Sequence, residues 1–301
     1  MTLAPIILFV YNRPWHTQQT LEALSKNQLA DQSVLYVYAD GAKENANEDQ
    51  LKNICEVREI IRSRLWCREV KIIERNKNWG LADNIVDGVT TIVNKYSKII
   101  VLEDDIVTSP GFLKYMNDAL SIYESEEKVM HISGYMFPIG KKLSETFFYN
   151  TASCWGWGTW KDAWDNLEWN ANRSLSRIEK EGLVTKFNVN NTYKFYDDLK
   201  ANADSKIRTW AVRWYASFFL KGGYALHPYP SLTNNIGHDG EGENCKKTDR
   251  FTWKDIASDV PVYRKPVVES LEALRAMEKF NRNKSNLMQR ISNNIKILLE
   301  T

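Results

Sequence analysis

The 301-residue chain has only four cysteines, Cys55, Cys67, Cys154 and Cys245, far apart and with no CxxC pair among them. That spacing argues against a zinc site and fits reduced thiols in a cytoplasmic protein, with a disulfide as the alternative. Neither sign of charge dominates: 40 basic and 38 acidic residues leave +2, so no global field points to nucleic acid. No apolar run reaches the roughly 18 residues that cross a bilayer. No basic stretch precedes the first apolar run, so no secretory signal is expected. GxGxxG and GxxxxGK[ST] are both missing, which leaves a dinucleotide or P-loop site unsupported. Neither a Ser-His-Asp order nor a lone activated cysteine stands out. There is no internal repeat and no low-complexity tract.

The most informative stretch is Ile99-Ile100-Val101-Leu102-Glu103-Asp104-Asp105-Ile106. Its four apolar residues read as a strand buried on both faces. Three carboxylates follow, and burying them without a partner would be costly. They belong at the strand's C-terminal end, where ligands bind in open α/β sheets, facing a hard cation such as Mg²⁺ or Mn²⁺. An acidic surface turn is the alternative. Ser109-Pro110 then starts a helix over Phe112–Tyr123.

Upstream, Pro5–Tyr11 is another continuous apolar run, broken by Asn12-Arg13-Pro14. A helix to Leu24 follows, then a strand over Ser33–Ala39 ending in Asp40-Gly41. A helix is expected over Asn53–Arg64, a strand over Val70–Ile73, and a helix over Leu81–Tyr96. Four strand-then-helix units in succession predict a doubly wound, mostly parallel α/β sheet. Each strand ends in a polar residue that one crevice would gather: Arg13, Asp40, Arg75 and Asp105. The second half is less regular. A strand is expected over Val129–Gly134, a glycine-rich aromatic loop over Trp155–Trp160, a short helix or turn over Lys161–Trp169, and a mobile polar segment over Leu175–Asn190. Thr209 is expected to cap a helix through Leu220. A strand over Tyr224–Pro228, a polar glycine-rich loop over Asn234–Gly242 and helices over Glu269–Lys279 and Leu287–Leu299 complete the chain.

Single motifs leave alternatives open. Gly80 opens a helix whose start, with Asn84 nearby, favours an anion, or is simply capped. His238 beside Asp239 suits a metal ligand or a pyrophosphate contact, or is an exposed loop histidine. The eleven tryptophans cluster near Trp155 and Trp157, which serve either as core or as flat platforms for sugar rings. His16, His131 and His227 read as structural.

Taken in order, these motifs resemble the GT-A fold of nucleotide-sugar glycosyltransferases over roughly Ile6 to Cys245. The resemblance is to bacterial family-2-like members and, more distantly, to the N-acetylglucosaminyltransferase I group. It rests on Ile7–Arg13, Tyr38-Ala39-Asp40-Gly41, Glu103-Asp104-Asp105, Trp155-Gly156-Trp157-Gly158 and Gly237-His238-Asp239-Gly240. It implies transfer of a hexosyl or N-acetylhexosaminyl group from a nucleotide-sugar, a UDP-sugar, to a glycan acceptor of surface polysaccharide or lipid-linked oligosaccharide. It implies Mn²⁺ or Mg²⁺ on Asp105 and His238. Tyr11, Arg13, Asp40, Arg75, Gly80, Asn84, Glu103 and Asp104 would bind the donor, and Trp155 and Trp157 the sugars. Residues 1–107 would form a nucleotide half, 108–265 an acceptor half and 266–301 a C-terminal helical extension. The relatives' catalytic Asp in Trp-Asp-x-x-Trp is Ala211 here, in Trp210-Ala211-Val212-Arg213-Trp214. Asp204 and Asp239 are the candidates to replace that base. A nucleotidyltransferase is the runner-up, although Asn12-Arg13-Pro14 poorly replaces its glycine-rich basic loop. The missing base keeps an inactive carbohydrate-binding relative in view. The last helix carries Leu287, Ile291, Ile295 and Leu298 on one face with Arg282, Lys284, Arg290 and Lys296 around it. It suits an anionic membrane surface at the inner leaflet, its own domain, or a second copy of the chain.

Overall fold

The run Ile6–Val10 (β1) is buried at every position. Both faces must therefore be covered, and a parallel sheet with helices on each side does that. A computed structural model describes residues 2–240 and 247–283 and shows this architecture. β2 (Val34–Ala39), β3 (Glu69–Glu74), β4 (Lys98–Glu103), β5 (Ile106–Thr108), β6 (Val129–Ser133), β7 (Thr146–Tyr149), β8 (Trp157–Trp160), β9 (Tyr224–Pro228) and β10 (Thr233–Asn235) follow. Eight of them form one sheet in the order β3-β2-β1-β4-β8-β6-β9-β7, and β10 pairs with β5 apart from it. The β3-β2-β1-β4 run is parallel throughout. β8 runs against both β4 and β6, and β7 runs against β9.

The helices are α1 (Pro14–Ser25), α2 (Glu48–Arg62), α3 (Leu81–Tyr96), α4 (Phe112–Ile122), α5 (Lys161–Trp164), α6 (Ala171–Lys180), α7 (Val184–Phe187), α8 (Phe195–Ala203) and α9 (Ala211–Leu220). Residues 271–283 are also helical. α2 starts on a reciprocal capping box: Gln50 N–H donates to Asn47 Oδ1 at 2.9 Å, and Asn47 N–H to Gln50 Oε1 at 3.1 Å. Alternation along the strands divides the core between the two faces. Ile6, Leu8, Ile100 and Leu102 pack in one cluster with Leu21 of α1 and Met116 of α4. Ile7, Phe9, Ile99 and Val101 pack in the other with Val89 of α3 and Trp214 of α9.

Three expectations are corrected. Trp157–Trp160 is a strand inside the sheet rather than a loop. Its glycine serves the core: a Cβ on Gly158 would lie 2.9 Å from the Ile99 carbonyl oxygen and 3.0 Å from Met116. The segment read as mobile is largely helical in α6 and α7, because Leu175 and Ile178 bury against the second cluster. Thr209 does not cap α9; it exchanges hydrogen bonds of 2.8 Å with the Asn202 side chain. No helix among the described residues is long and apolar enough to cross a membrane. The helix expected over Leu287–Leu299, with Cys245, Glu241 and Gly242, lies outside the described residues.

Candidate active site at the sheet's switch point

In the order β3-β2-β1-β4 the chain reverses direction of winding between β1 and β4, and outside the strand ends at such a switch point is where open α/β sheets form their ligand crevice. Arg13 leaves β1 there, and Glu103-Asp104-Asp105 leave β4. Arg13 Nε donates to Asp104 Oδ2 at 3.2 Å, and Nη2 donates to Asp105 Oδ2 at 3.0 Å and to Asp104 Oδ1. Burial works against the Arg13 charge, but the two aspartates outweigh it and hold the guanidinium more firmly protonated. Three carboxyl groups thus face one cation. Burial pushes Glu103 up to about 8, with Asp105 and then Asp104 adding to the rise. Burial also raises Asp104, to about 6, against the pull of Arg13.

Backbone contacts fasten the acidic turn. Thr20 of α1 donates its hydroxyl to the Asp104 carbonyl at 2.7 Å. Ile236 N–H donates to the Asp105 carbonyl at 2.9 Å. The β5–β10 pairing, with Asn235 opposite Ile106, brings the glycine-rich loop back onto the same turn. Gly237 lies hard against it: a Cβ there would sit 2.1 Å from Asp105 Oδ2 and 3.0 Å from Arg13 Nη1. The next residue, His238, sits between the rings of Trp155 (5.1 Å) and Phe251 (5.2 Å). Both its ring nitrogens are buried without a hydrogen-bond partner among the described residues. Asp239 follows and meets His16 Nε2 of α1 at 2.9 Å. The structure therefore brings Arg13, Glu103, Asp104, Asp105, His238, Asp239 and Trp155 to one crevice. His16 and Thr20 join them. The sequence reads His16 as structural and does not single out Thr20, although both lie on the first helical turns after Arg13, the one signal available.

Asp40, Arg75, Gly80 and Asn84 gather at the ends of the neighbouring strands β2 and β3, but they are committed to one another. Asp40 Oδ1 accepts from Gly41 N–H and Trp79 N–H, both at 2.9 Å. Its Oδ2 accepts from Gly80 N–H at 3.0 Å and Asn78 Nδ2 at 3.1 Å. Those four bonds fill a carboxylate's acceptor capacity. The anion expected at the start of α3 is thus Asp40 itself, and its arranged role is to shape the 78–80 turn. Arg75 stacks on Trp79 at 3.9 Å, donates to Asn84 Oδ1 at 3.2 Å and pairs with Asp87. Tyr11, at the end of β1, has the Lys43 ammonium 6.0 Å from its ring centroid.

Two expected site residues lie elsewhere. Trp157 is fully buried, stacked on His131 at 5.3 Å and on Trp210 at 5.2 Å, so it has no face to offer a sugar. It belongs to the core because β8 threads between β4 and β6. Asp204 ends α8 on the surface and pairs with Lys206 at 3.0 Å. No hydrogen bond or ion pair among the described residues joins it to the acidic turn. His131 and His227 are buried and bonded to backbone carbonyls, as expected of structural histidines.

No family model matches the chain, and no curated protein sequence matches it. Solved structures do. The mannosyltransferase PcManGT from Pyrobaculum calidifontis, in complex with GDP-Man and Mn²⁺, is 11% identical over 71% of this chain and 73% of its own, with a TM-score of 0.40. S. aureus TarS is 13% identical over 48% of this chain, which spans only 23% of TarS, with a TM-score of 0.30. A UDP-glucose pyrophosphorylase complexed with UDP-glucose is 8% identical over 78% of this chain and 94% of its own, with a TM-score of 0.40. At these identities and TM-scores the assignment of a function rests on the site.

Among the described residues no group of three His, Cys, Asp or Glu side chains forms a cage for a metal ion. Mg²⁺-type sites that share substrate phosphates need only one or two protein ligands. Asp105 and His238 fit that smaller requirement: the carboxylate abuts the His238 loop, and both histidine nitrogens are without partners among the described residues.

Proposed function

We propose that the chain is a GT-A glycosyltransferase that moves a hexosyl or N-acetylhexosaminyl group from a UDP-sugar to a glycan acceptor of surface polysaccharide or a lipid-linked oligosaccharide. The observation that carries this reading is the convergence of Arg13, Asp104, Asp105 and the His238–Asp239 loop at the switch point of the sheet. Asp105 and His238 would hold Mn²⁺ or Mg²⁺, which supplies Lewis-acid stabilisation of the departing diphosphate. Arg13 pairs with Asp104 and Asp105 and aims both carboxyl groups into the crevice. The cluster at Asp40, Gly80, Asn84 and Arg75 shapes the rim on the nucleoside side, next to Tyr11. Trp155 offers a half-buried ring to the sugar. Of the two candidate bases, Asp239 is at the crevice; it takes the acceptor's hydroxyl proton while His16 holds its carboxylate in place. On this reading residues 1–107 serve the donor, 108–265 the acceptor, and 266–301 are an extension.

Incubating the protein with a panel of nucleotide-sugars, Mn²⁺ and glycan acceptors, and measuring release of nucleoside diphosphate, tests the proposal. The expected result is release that needs acceptor and falls to background in Asp105→Asn or with EDTA. Pyrophosphate release from UTP and a sugar 1-phosphate would instead establish a nucleotidyltransferase. Release of neither product from the folded protein would overturn both enzymatic readings.

A further inference from the structure

The crevice has one apolar surface that the bonding around it leaves open. Of the eleven tryptophans only Trp15 and Trp79 are exposed, at 59% and 39%. Trp79 carries the Arg75 guanidinium 3.9 Å over its ring. Trp155 is half-buried among the rings of Tyr135 (4.5 Å), His238 (5.1 Å), Phe251 (5.8 Å) and Phe137 (6.1 Å). Trp15 has a single ring neighbour among the described residues, His16, at 5.0 Å and 87°. A ring more than half exposed does not have both faces covered, so one face of the Trp15 indole is open to solvent.

A lone exposed tryptophan needs no explanation on its own. This one is singled out by its neighbours. Arg13, Trp15 and His16 stand at the N-cap and in the first turn of α1. Arg13 reaches the acidic turn, His16 is 2% exposed and turns inward, and Trp15 points outward between them in sequence. His16 Nε2 meets Asp239 Oδ2 at 2.9 Å, and the Asp239 side chain is itself 36% exposed. The open indole, the buried imidazole and the carboxylate thus form a continuous chain, and the carboxylate lies within the span of one sugar residue from the indole. His238 and Asp239, consecutive in the chain, stand beside different tryptophans: His238 against Trp155, and Asp239 one imidazole away from Trp15. The open ring asks for an apolar face with weakly positive hydrogens, which the π face attracts, and its Nε1–H for an acceptor oxygen. A pyranose supplies both, through its C–H face and its hydroxyl groups.

We propose that Trp15 is the platform on which the acceptor's sugar ring lies while Asp239 faces its hydroxyl, so that the acceptor residue is a pyranose presenting a C–H face. The proposal rests on the glycosyltransferase reading of the crevice. The experiment measures UDP release by the full chain from UDP-glucose, UDP-galactose and UDP-N-acetylglucosamine with Mn²⁺. The methyl glycosides of glucose, galactose, mannose and N-acetylglucosamine serve as acceptors, and the series is repeated on Trp15→Ala and Trp15→Phe. The expected result is an acceptor KM about tenfold higher in Trp15→Ala, as for the loss of one aromatic face, with the change falling on KM rather than kcat. The donor's KM stays where it was, and Trp15→Phe restores most of the acceptor's affinity. No acceptor-stimulated release by the wild type would overturn the glycosyltransferase reading and this proposal with it. Release by the wild type with an unchanged acceptor KM in Trp15→Ala would overturn the proposal alone. So would a donor KM that rises in step, or a loss that Trp15→Phe does not restore, since both mark a structural change.

Discussion

Replacing His131 with glutamine should remove a pH dependence from the protein's stability. The imidazole is fully buried. Trp214 Nε1–H donates to its Nδ1 at 3.1 Å, so its proton sits on Nε2, 3.0 Å from the Ser153 carbonyl. A second proton, on Nδ1, would point at the indole N–H. Burial pushes the group down to about 3, against a partial rise from Ser153. An unfolded histidine titrates near 6.5. The folded value is the depressed one, so the unfolded chain takes up the proton first as the pH falls. The contribution of the neutral ring is therefore complete above about pH 6.5 and is lost on going toward about pH 3. Between about pH 7 and about pH 5 the loss comes to roughly 2 kcal/mol, whatever the folded value is, provided that it stays below 5. The wild type alone will not display this slope. Glu103 and Asp104 are raised carboxyls that hold their protons longer in the folded state, so their contributions run the other way. The subtraction isolates the histidine. Urea unfolding of wild type and His131→Gln at both pH values should show the wild type losing about 2 kcal/mol more than the variant on acidification. Equal changes in the two proteins would refute the argument, whatever the variant's absolute stability.

Asp40→Ala should unfold at lower denaturant, by at least about 2 kcal/mol, because it frees three backbone N–H groups and an amide from a buried carboxylate. It should also raise the donor's KM; unchanged stability with a raised KM would return Asp40 to a plain nucleoside contact. Gly237→Ala should keep its circular dichroism spectrum yet lose at least about tenfold in kcat, since the new methyl forces Asp105 aside; full activity would show that the loop yields freely. Asp239→Asn should lower kcat by about 100-fold or more and flatten the acid limb of its pH profile, while Asp204→Asn leaves both untouched. The opposite pattern would move the base to α8.

The first four strands and their helices were legible because each is a continuous apolar run or a clear helical period. α3 matches its expected limits, Leu81 to Tyr96, to the residue. The three- and four-residue strands β5, β7 and β10 carry no such period, and exist through partners distant in the chain. Trp157–Trp160 looks like a loop because glycine stands beside tryptophan, and only the closeness of Ile99 and Met116 explains Gly158. At the site, the carboxylates and the strand ends could be placed from sequence. Their pairing could not: Arg13 and Asp104 are 91 residues apart and look like separate donor contacts until the sheet joins them. Asp40 likewise looks like a residue awaiting a ligand, because nothing local shows that the 78–80 turn folds over it.

The antiparallel strand β8 has a consequence for how the chain can be assembled or divided. It lies between β4 and β6, so the strands beyond it join the sheet only after residues 157–160 have come back to pair with 98–101. Closing that loop of more than fifty residues precedes any joining of the two halves of the sheet, and such long-range closure slows folding. Until the loop closes, β4 is an apolar, unprotected edge. A fragment ending after Thr108 would keep that edge permanently and would offer Ile99 to Leu102 to another copy of itself, making it a seed for aggregation rather than an independent unit.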